Sequence, residues 1–183
     1  MEIILASNSP RRRELLANAG VKFTVLPSDF IEDERLDLSP YKYAEYLAEN
    51  KAQSVLDKNP NAVVIGADTI VVHGGEILGK PTSKAHAIKM LESLSGKEHE
   101  VVTGYAVISK NSKIISHEVT RVTFNELSSE FILKYVEGGS PMDKAGAYGI
   151  QDGNLAKFIV GDYDNVVGLP TKKILEALRV YET

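Results

Sequence analysis

Three arginines, Arg11, Arg12 and Arg13, directly follow Ser9-Pro10 near the start of the chain. Ser9 suits a helix N-cap, and Pro10 suits the first helical position, where its missing N–H costs nothing. The arginines therefore fall in a first turn and oppose the helix dipole, each by about 0.3–1 kcal/mol in exposed settings. A bound anion reverses that sign. Free N–H groups at a helix start already form an anion site, and guanidinium forks add paired hydrogen bonds to phosphate oxygens. At about 100° per residue, Arg11 and Arg12 lie at the edges of a stripe formed by Leu15, Leu16 and Ala19, while Arg13 points away. A solvated basic turn whose stems cover apolar surface would account for one such arginine. Two converging beside a capped turn favour a phosphate site.

Other charges break apolar patterns. A helix from Ser39-Pro40 to about Lys58 has its stripe at Ala44, Leu47, Ala48, Ala52 and Val55, and Lys51 sits inside it. That side chain must snorkel to the surface or deliver its ammonium to something at the core's edge. Asp68 interrupts the continuous apolar run Ala62–Val72. Unpaired, its carboxylate would lose several kcal/mol in desolvation, so it requires a cation, a metal or water at the strand's end; the alternative is a bulge at Gly66. Lys80, between Gly79 and Pro81, is a weaker signal, a lysine aimed from a short loop. Asp29, Glu32, Asp33, Glu34 and Asp37 crowd the segment Pro27–Asp37, read by default as a solvated acidic connection.

These residues need positioning elements, and the chain supplies alternating ones. Ile3–Ala6 reads as a buried strand, the first helix ends near Gly20, and Lys22–Leu26 reads as a second strand. Gly74-Gly75 turns the Ala62–Val72 strand into a hairpin with Glu76–Leu78. Ser83 starts a helix with Ala87, Met90, Leu91 and Leu94 inward, stopped at Gly96. Glu98–Ser109 and Lys113–Phe124 predict an antiparallel pair, and Ser128 starts a helix with Ile132, Leu133 and Val136 inward. The stretch Ser140–Gly153 is glycine-rich and charged, without helical or strand period, as mobile or functional loops are. Phe158–Val160 and Asn165–Val167 give the last strand signals, and a closing helix follows from Thr171.

A chain of 183 residues, 43% hydrophobic and 25% charged, suffices for one core or two small lobes. With no cysteine, disulfides, thiolate catalysis and cysteine-ligated zinc are excluded. His73, His86, His99 and His117 show no HxxxH or HExxH spacing, so a metal would need oxygen ligands. A formal charge of −4 argues against a broad nucleic-acid surface. No signal-peptide pattern and no membrane-spanning run are present, which predicts a soluble, cytoplasmic protein without membrane partners.

Taken together, Ala6-Ser7-Asn8-Ser9-Pro10-Arg11-Arg12, Gly66-Ala67-Asp68-Thr69, Gly79-Lys80-Pro81, Leu94-Ser95-Gly96, Asp143-Lys144-Ala145-Gly146-Ala147-Tyr148-Gly149-Ile150-Gln151 and Val166-Val167-Gly168-Leu169-Pro170 resemble the Maf family of nucleoside triphosphate pyrophosphatases. The likeness runs nearly end to end, making residues 1–183 a single domain of that type. It implies an α/β fold, a mixed twisted sheet flanked by helices, with two lobes around a central cleft, similar to inosine triphosphate pyrophosphatases. It further implies hydrolysis between the α- and β-phosphates of a nucleoside triphosphate, releasing a monophosphate and pyrophosphate with a divalent cation, Mg²⁺ or Mn²⁺. A homodimer is left open.

By the same resemblance, the functional residues fall on Ser9, Arg11, Arg12, Glu32, Lys51, Asp68, Lys80 and Gln151. Arg11, Arg12, Lys51 and Lys80 would hold the triphosphate, Glu32 and Asp68 the metal, and Asp68 would accept the proton of the attacking water. Threonine after the aspartate and glutamine after Tyr-Gly-Ile match the branch associated with dTTP and UTP, with base preference assigned to Arg11, Thr69 and Gln151. An amide at Gln151 offers a donor and an acceptor, complementary to the O4 and N3–H edge of uracil or thymine. One departure stands out: the family usually has glycine directly after that glutamine, and this chain has Asp152-Gly153. The competing reading is a non-catalytic nucleotide sensor acting on cell division, since the resemblance also carries an association with septum formation. Binding alone does not require a carboxylate in a strand.

Overall fold

Four serines start four helices. Ser9, Ser39, Ser83 and Ser128 hold extended backbone, and their hydroxyls accept from the amides of Arg12, Lys42, His86 and Phe131, respectively. Each such cap contributes about 1 kcal/mol. The helices they open are α1 (Pro10–Asn18), α2 (Pro40–Leu56), α3 (Lys84–Leu94) and α4 (Ser129–Glu137). The computed structural model describes residues 1–33 and 36–182, so Glu34 of the acidic loop lies outside the described residues.

The strands are β1 (Ile3–Leu5), β2 (Thr24–Val25), β3 (Val63–His73), β4 (Glu76–Leu78), β5 (Glu98–Ile108), β6 (Lys113–Phe124) and β7 (Ala156–Val160). They form one sheet in the order β2-β1-β3-β5-β6-β7, with β4 paired to β3. β1 is parallel to β2 and β3, whereas β3–β4 and β6–β7 are antiparallel, so the sheet is mixed as anticipated. The chain divides into two compact units, one of residues 1–69, 103–118 and 168–183 and the other of residues 70–102 and 119–167, passing between them within β3, β5 and β6 and a fourth time between Val167 and Gly168.

In the first unit, strand alternation sorts side chains onto two helix-covered faces. Leu5, Ile65 and Ala67 pack with Leu16 of α1 and with Ile174 and Leu178 of α6 (Thr171–Leu178). Ile4 and Val64 pack on Ala48, Ala52 and Val55 of α2. Helix α2 lies unusually close to the sheet, because a Cβ at Gly66 would stand 2.3 Å from the Ala48 carbonyl oxygen and one at Gly104 2.1 Å from that of Ala44. Gly66 thus serves helix–strand packing, not the bulge considered as an alternative, and β3 runs unbroken from Val63 to His73.

The second unit has its own core, in which Ala87, Leu91 and Leu94 of α3 and Ile132 and Val136 of α4 meet Val122, Phe124, Tyr148 and Leu155. The aperiodic stretch after α4 folds into short 3-10 turns at Ser140–Asp143, Ala145–Ala147 and Ile150–Asp152. Two expectations are corrected: Leu133, read as inward on α4, is exposed, only Ile132 and Val136 of that helix being buried, and Asn165–Val167 is not a strand but belongs to a short helix, α5 (Tyr163–Val167). Asp162 accepts the Asp164 amide at 2.9 Å and so starts the turn, and the buried Asn165 amide donates to the Val101 carbonyl and the Thr120 hydroxyl, both at 3.1 Å. These bonds override the β-branched character of Val166 and Val167. Among the described residues, no helix is long and apolar enough to cross a membrane.

Candidate active site

Two groups of charged side chains lie in the first unit, set by consecutive residues of β3. Asp68 points toward α2, where Lys51 occupies the stripe one turn from Ala48 and Ala52. The Lys51 ammonium donates to Asp68 Oδ1 at 2.5 Å and meets Glu32 Oε1 at 2.6 Å. Lys51 therefore delivers its charge inward, and Asp68 has the cation its burial demands. The side chains of Lys51 and Asp68 are only 18% and 14% exposed, against 42% for Glu32, so Glu32 is the solvent side of the cluster. Burial holds the Asp68 carboxyl above the usual aspartate range, against the opposing pull of Lys51 and Arg12. A carboxylate kept poised for protonation in this way is suited to proton transfer.

Thr69, the next residue, serves the α1 side. Arg12 donates from Nη2 to Thr69 Oγ1 at 3.0 Å, from Nε to the Gly168 carbonyl at 2.7 Å and from Nη1 to Ser7 Oγ at 3.4 Å. These bonds use three of the five guanidinium donors and fix the plane of the group. Thr69 Oγ1 also lies 2.9 Å from Thr103 Oγ1 and 3.3 Å from the Gly168 carbonyl. Burial lowers the Arg12 pKa, Asp68 raises it and the neighbouring Arg11 charge lowers it further. Arg11 is half-buried and Arg13 exposed, as helical spacing predicts. Ser9 is occupied as the N-cap, its Oγ accepting from the Arg12 amide at 3.4 Å.

Glu32, Lys51 and Asp68 are thus in direct contact, and Ser9, Arg12 and Thr69 form a second connected set. Lys80 and Gln151 belong to the other unit. Lys80 is exposed just after β4, where the Gly79 carbonyl accepts from the Gly146 amide at 3.1 Å. Gln151 is exposed in the 3-10 turn Ile150–Asp152. Reasoning from sequence passed over Ser7, Thr103 and Gly168, although Ser7 and Gly168 stand in the stretches that carry the family likeness. Thr103 had no such signal, since a threonine in a strand is ordinary.

Among the described residues, no three histidine, aspartate or glutamate side chains are grouped to hold a metal. Two carboxylates nonetheless converge on one ammonium, and Mg²⁺ is commonly bound by one or two carboxylates with substrate phosphates completing its shell. Asp68 and Glu32 fit a cation that arrives with a polyphosphate, and do not form a cage that holds one without it.

A curated dTTP/UTP pyrophosphatase of Aquifex aeolicus is 45% identical, covering 98% of this chain and 95% of its own. Its counterparts in Desulforamulus reducens and Symbiobacterium thermophilum are 48% and 49% identical over 98% and 97% of this chain and 96% and 92% of theirs. In fold, the chain is similar to the Staphylococcus aureus Ham1 protein, with a TM-score of 0.56 at 15% identity and full coverage of both chains. The model for Maf-like proteins matches residues 2–181, and the chain belongs to the Maf family.

Proposed function

We propose that this protein hydrolyses dTTP and UTP to the nucleoside monophosphate and pyrophosphate, as its relatives' names state of them. The observation that carries the reading is the buried Asp68–Lys51 pair, closed on its open side by Glu32. A structural ion pair has no need of a second carboxylate on the same ammonium, whereas a polyphosphate site needs cation-binding oxygens beside fixed positive charge. Phosphoryl transfer depends mostly on positioning and charge neutralisation, and these groups supply both.

Asp68 accepts the proton of the attacking water as its oxygen bonds to phosphorus and the α–β bridging bond breaks, with pyrophosphate leaving. Lys51 has three N–H donors, two of them engaged by Asp68 and Glu32, and turns its third to the triphosphate. Arg12, pre-oriented by Gly168, Thr69 and Ser7, offers its two further donors; Arg11 and Lys80 complete the positive charge, and Ser9 keeps the turn in place. A Mg²⁺ or Mn²⁺ ion held by Asp68 and Glu32 would supply further neutralisation of the phosphates. Gln151 reads the pyrimidine edge, with Thr69 and Arg11 contributing to base preference. The whole chain acts as one domain of this type.

The test is product analysis. Purified protein with Mg²⁺ or Mn²⁺ is given a panel of ribo- and deoxynucleoside triphosphates, and pyrophosphate is scored against orthophosphate, with Asp68→Asn as control. Pyrophosphate from dTTP and UTP, lost in the variant, is the expected result. Tight binding without turnover of any nucleotide would replace the enzyme by a sensor.

A further inference from the structure

Asp152, the residue that departs from the family pattern, is not an idle surface charge. Its Oδ2 accepts from the Tyr135 hydroxyl at 2.5 Å and from Ser140 Oγ at 2.9 Å. The same Tyr135 oxygen accepts from the Gly149 amide at 3.1 Å. One hydroxyl on α4 therefore grips the chain on both sides of Gln151, two residues before it through the backbone and one residue after it through a carboxylate. A second layer holds the grip, since Lys144 donates to the Ser140 carbonyl at 2.5 Å and lies 3.2 Å from its hydroxyl. Gly149 leaves the room required: a Cβ there would stand 2.9 Å from Lys144 Cε and 3.1 Å from Asp152 Oδ2.

We infer that Tyr135 and Asp152 are positioning residues for base selection, clamping the turn Ile150–Asp152 so that the Gln151 amide is presented at a fixed place and angle. The inference rests on the reading of Gln151 as the residue that meets the pyrimidine edge. Hydrogen-bond discrimination between bases depends on placement, because a donor and an acceptor must both align, and an amide on a freely moving turn would accept several bases. With glycine after the glutamine the carboxylate half of this clamp does not exist. The clamp touches neither phosphate nor reacting atoms, so its loss should be felt in selectivity and KM and little in kcat.

The experiment measures kcat and KM for dTTP and dCTP, following pyrophosphate release, in the native protein and in Tyr135→Phe, Asp152→Ala, Asp152→Asn, Gln151→Ala and the double variant Tyr135→Phe/Gln151→Ala. Because Asp152 is exposed, its variants keep the measurement available if Tyr135→Phe proves unstable. Expected are a fall of about tenfold in the dTTP/dCTP ratio of kcat/KM for Tyr135→Phe and Asp152→Ala, carried mainly by KM for dTTP, and substantial rescue in Asp152→Asn, whose amide oxygen can still accept from Tyr135. In the double variant, Tyr135→Phe should lower the ratio no further than Gln151→Ala alone. An unchanged ratio in Tyr135→Phe and Asp152→Ala, with a lowered one in Gln151→Ala, overturns the clamp and leaves the reading of Gln151 standing. An unchanged ratio in Gln151→Ala overturns that reading, and the clamp's role with it. Equal losses of kcat on both nucleotides in the clamp variants would make Tyr135 and Asp152 ordinary structural residues.

Discussion

Gly66→Ala makes the severest test of how the fold serves the site. The added Cβ would lie 2.3 Å from the Ala48 carbonyl oxygen, 2.8 Å from Ala52 Cβ and 2.9 Å from the Ala52 amide nitrogen. A comfortable carbon–oxygen contact is about 3.3 Å, so α2 must retreat by roughly 1 Å or β3 must buckle. The atoms struck are helix backbone and the Ala52 methyl fixed to it, none of which can swing aside as a flexible side chain would. Overpacking of this kind costs about 1–3 kcal/mol, which at this chain length lowers Tm by roughly 2–12 °C. Lys51 sits between the two points of contact in sequence, and its ammonium meets Asp68 at 2.5 Å, so a shift of about 1 Å breaks the pair on which the proposed chemistry rests. A misplacement of that size can cost about 100-fold in rate. The assay pairs thermal unfolding with kcat/KM for pyrophosphate release from dTTP. Gly104→Ala is the companion, since its Cβ would meet Ala44, two turns from Lys51, at 2.1 Å. It should cost similar stability and less activity. A Gly66→Ala protein with native Tm and native turnover would refute the account of α2 as the element that sets Lys51.

Other outcomes follow from the charges. Asp68→Asn should lose at least about 100-fold in turnover yet melt no lower than the native protein, because burial penalises the carboxylate and Lys51 keeps Glu32 as its partner; calorimetry beside the activity assay checks both. Burial raises the Asp68 pKa, and the proposed role as proton acceptor requires its ionised form, so activity should fall with decreasing pH through an apparent pKa above the ordinary aspartate range, read from a kcat/KM profile. Thr103→Val removes a hydroxyl 2.9 Å from Thr69 Oγ1 and should loosen Arg12, reducing kcat/KM about fivefold while kcat holds. His99, 2% exposed and bonded to Tyr148 at 2.6 Å, has its pKa lowered to about 4, by burial first and the His73 charge second. The unfolded chain then binds more protons below its ordinary pKa of about 6.5, so stability falls as pH drops from about 6.5 to 4, by about 3 kcal/mol from this group. Unfolding of His99→Gln at pH 7 and pH 4.5 should show a shallower loss than the native chain.

What the sequence made legible were violations of pattern. Arginines in a first turn, a lysine in an apolar stripe and an aspartate in an apolar strand each break a rule whose cost is known, and Arg12, Lys51 and Asp68 prove to be the hubs of the two charged sets. Glu32 broke no rule, because an acidic loop has no period to violate, and only the family likeness separated it from its neighbours. Thr103 was silent for the opposite reason: it satisfies the strand's preference so well that its hydroxyl's partner cannot be inferred. The strand expected at Asn165–Val167 failed because valines speak for local backbone preference, while the helix there is dictated by the buried Asn165 amide and its bonds to Val101 and Thr120. The lack of period around Gln151 marked the loop as either mobile or functional, yet its bracing by Tyr135 was not legible, since the tyrosine lies fourteen residues before Gly149, on a different element.

The period of two in β3 explains why a short motif commands so much. Asp68 and Thr69 are adjacent in the middle of β3 and must face opposite sides of the sheet, so one pair of neighbouring strand residues organises α2 through Lys51 and α1 through Arg12 at once. The two sides still feel each other: the Asp68 charge raises the Arg12 pKa against its burial, and Arg12 in turn lowers that of Asp68. Each group makes the other's desolvation less costly, although neither set contains the other's hydrogen-bond partners. A substitution that neutralises Asp68 therefore acts on the guanidinium across the strand as well as on Lys51. The carboxylate proposed to accept the proton and the arginine proposed to hold phosphate form one electrostatic unit, and their energies should be measured together.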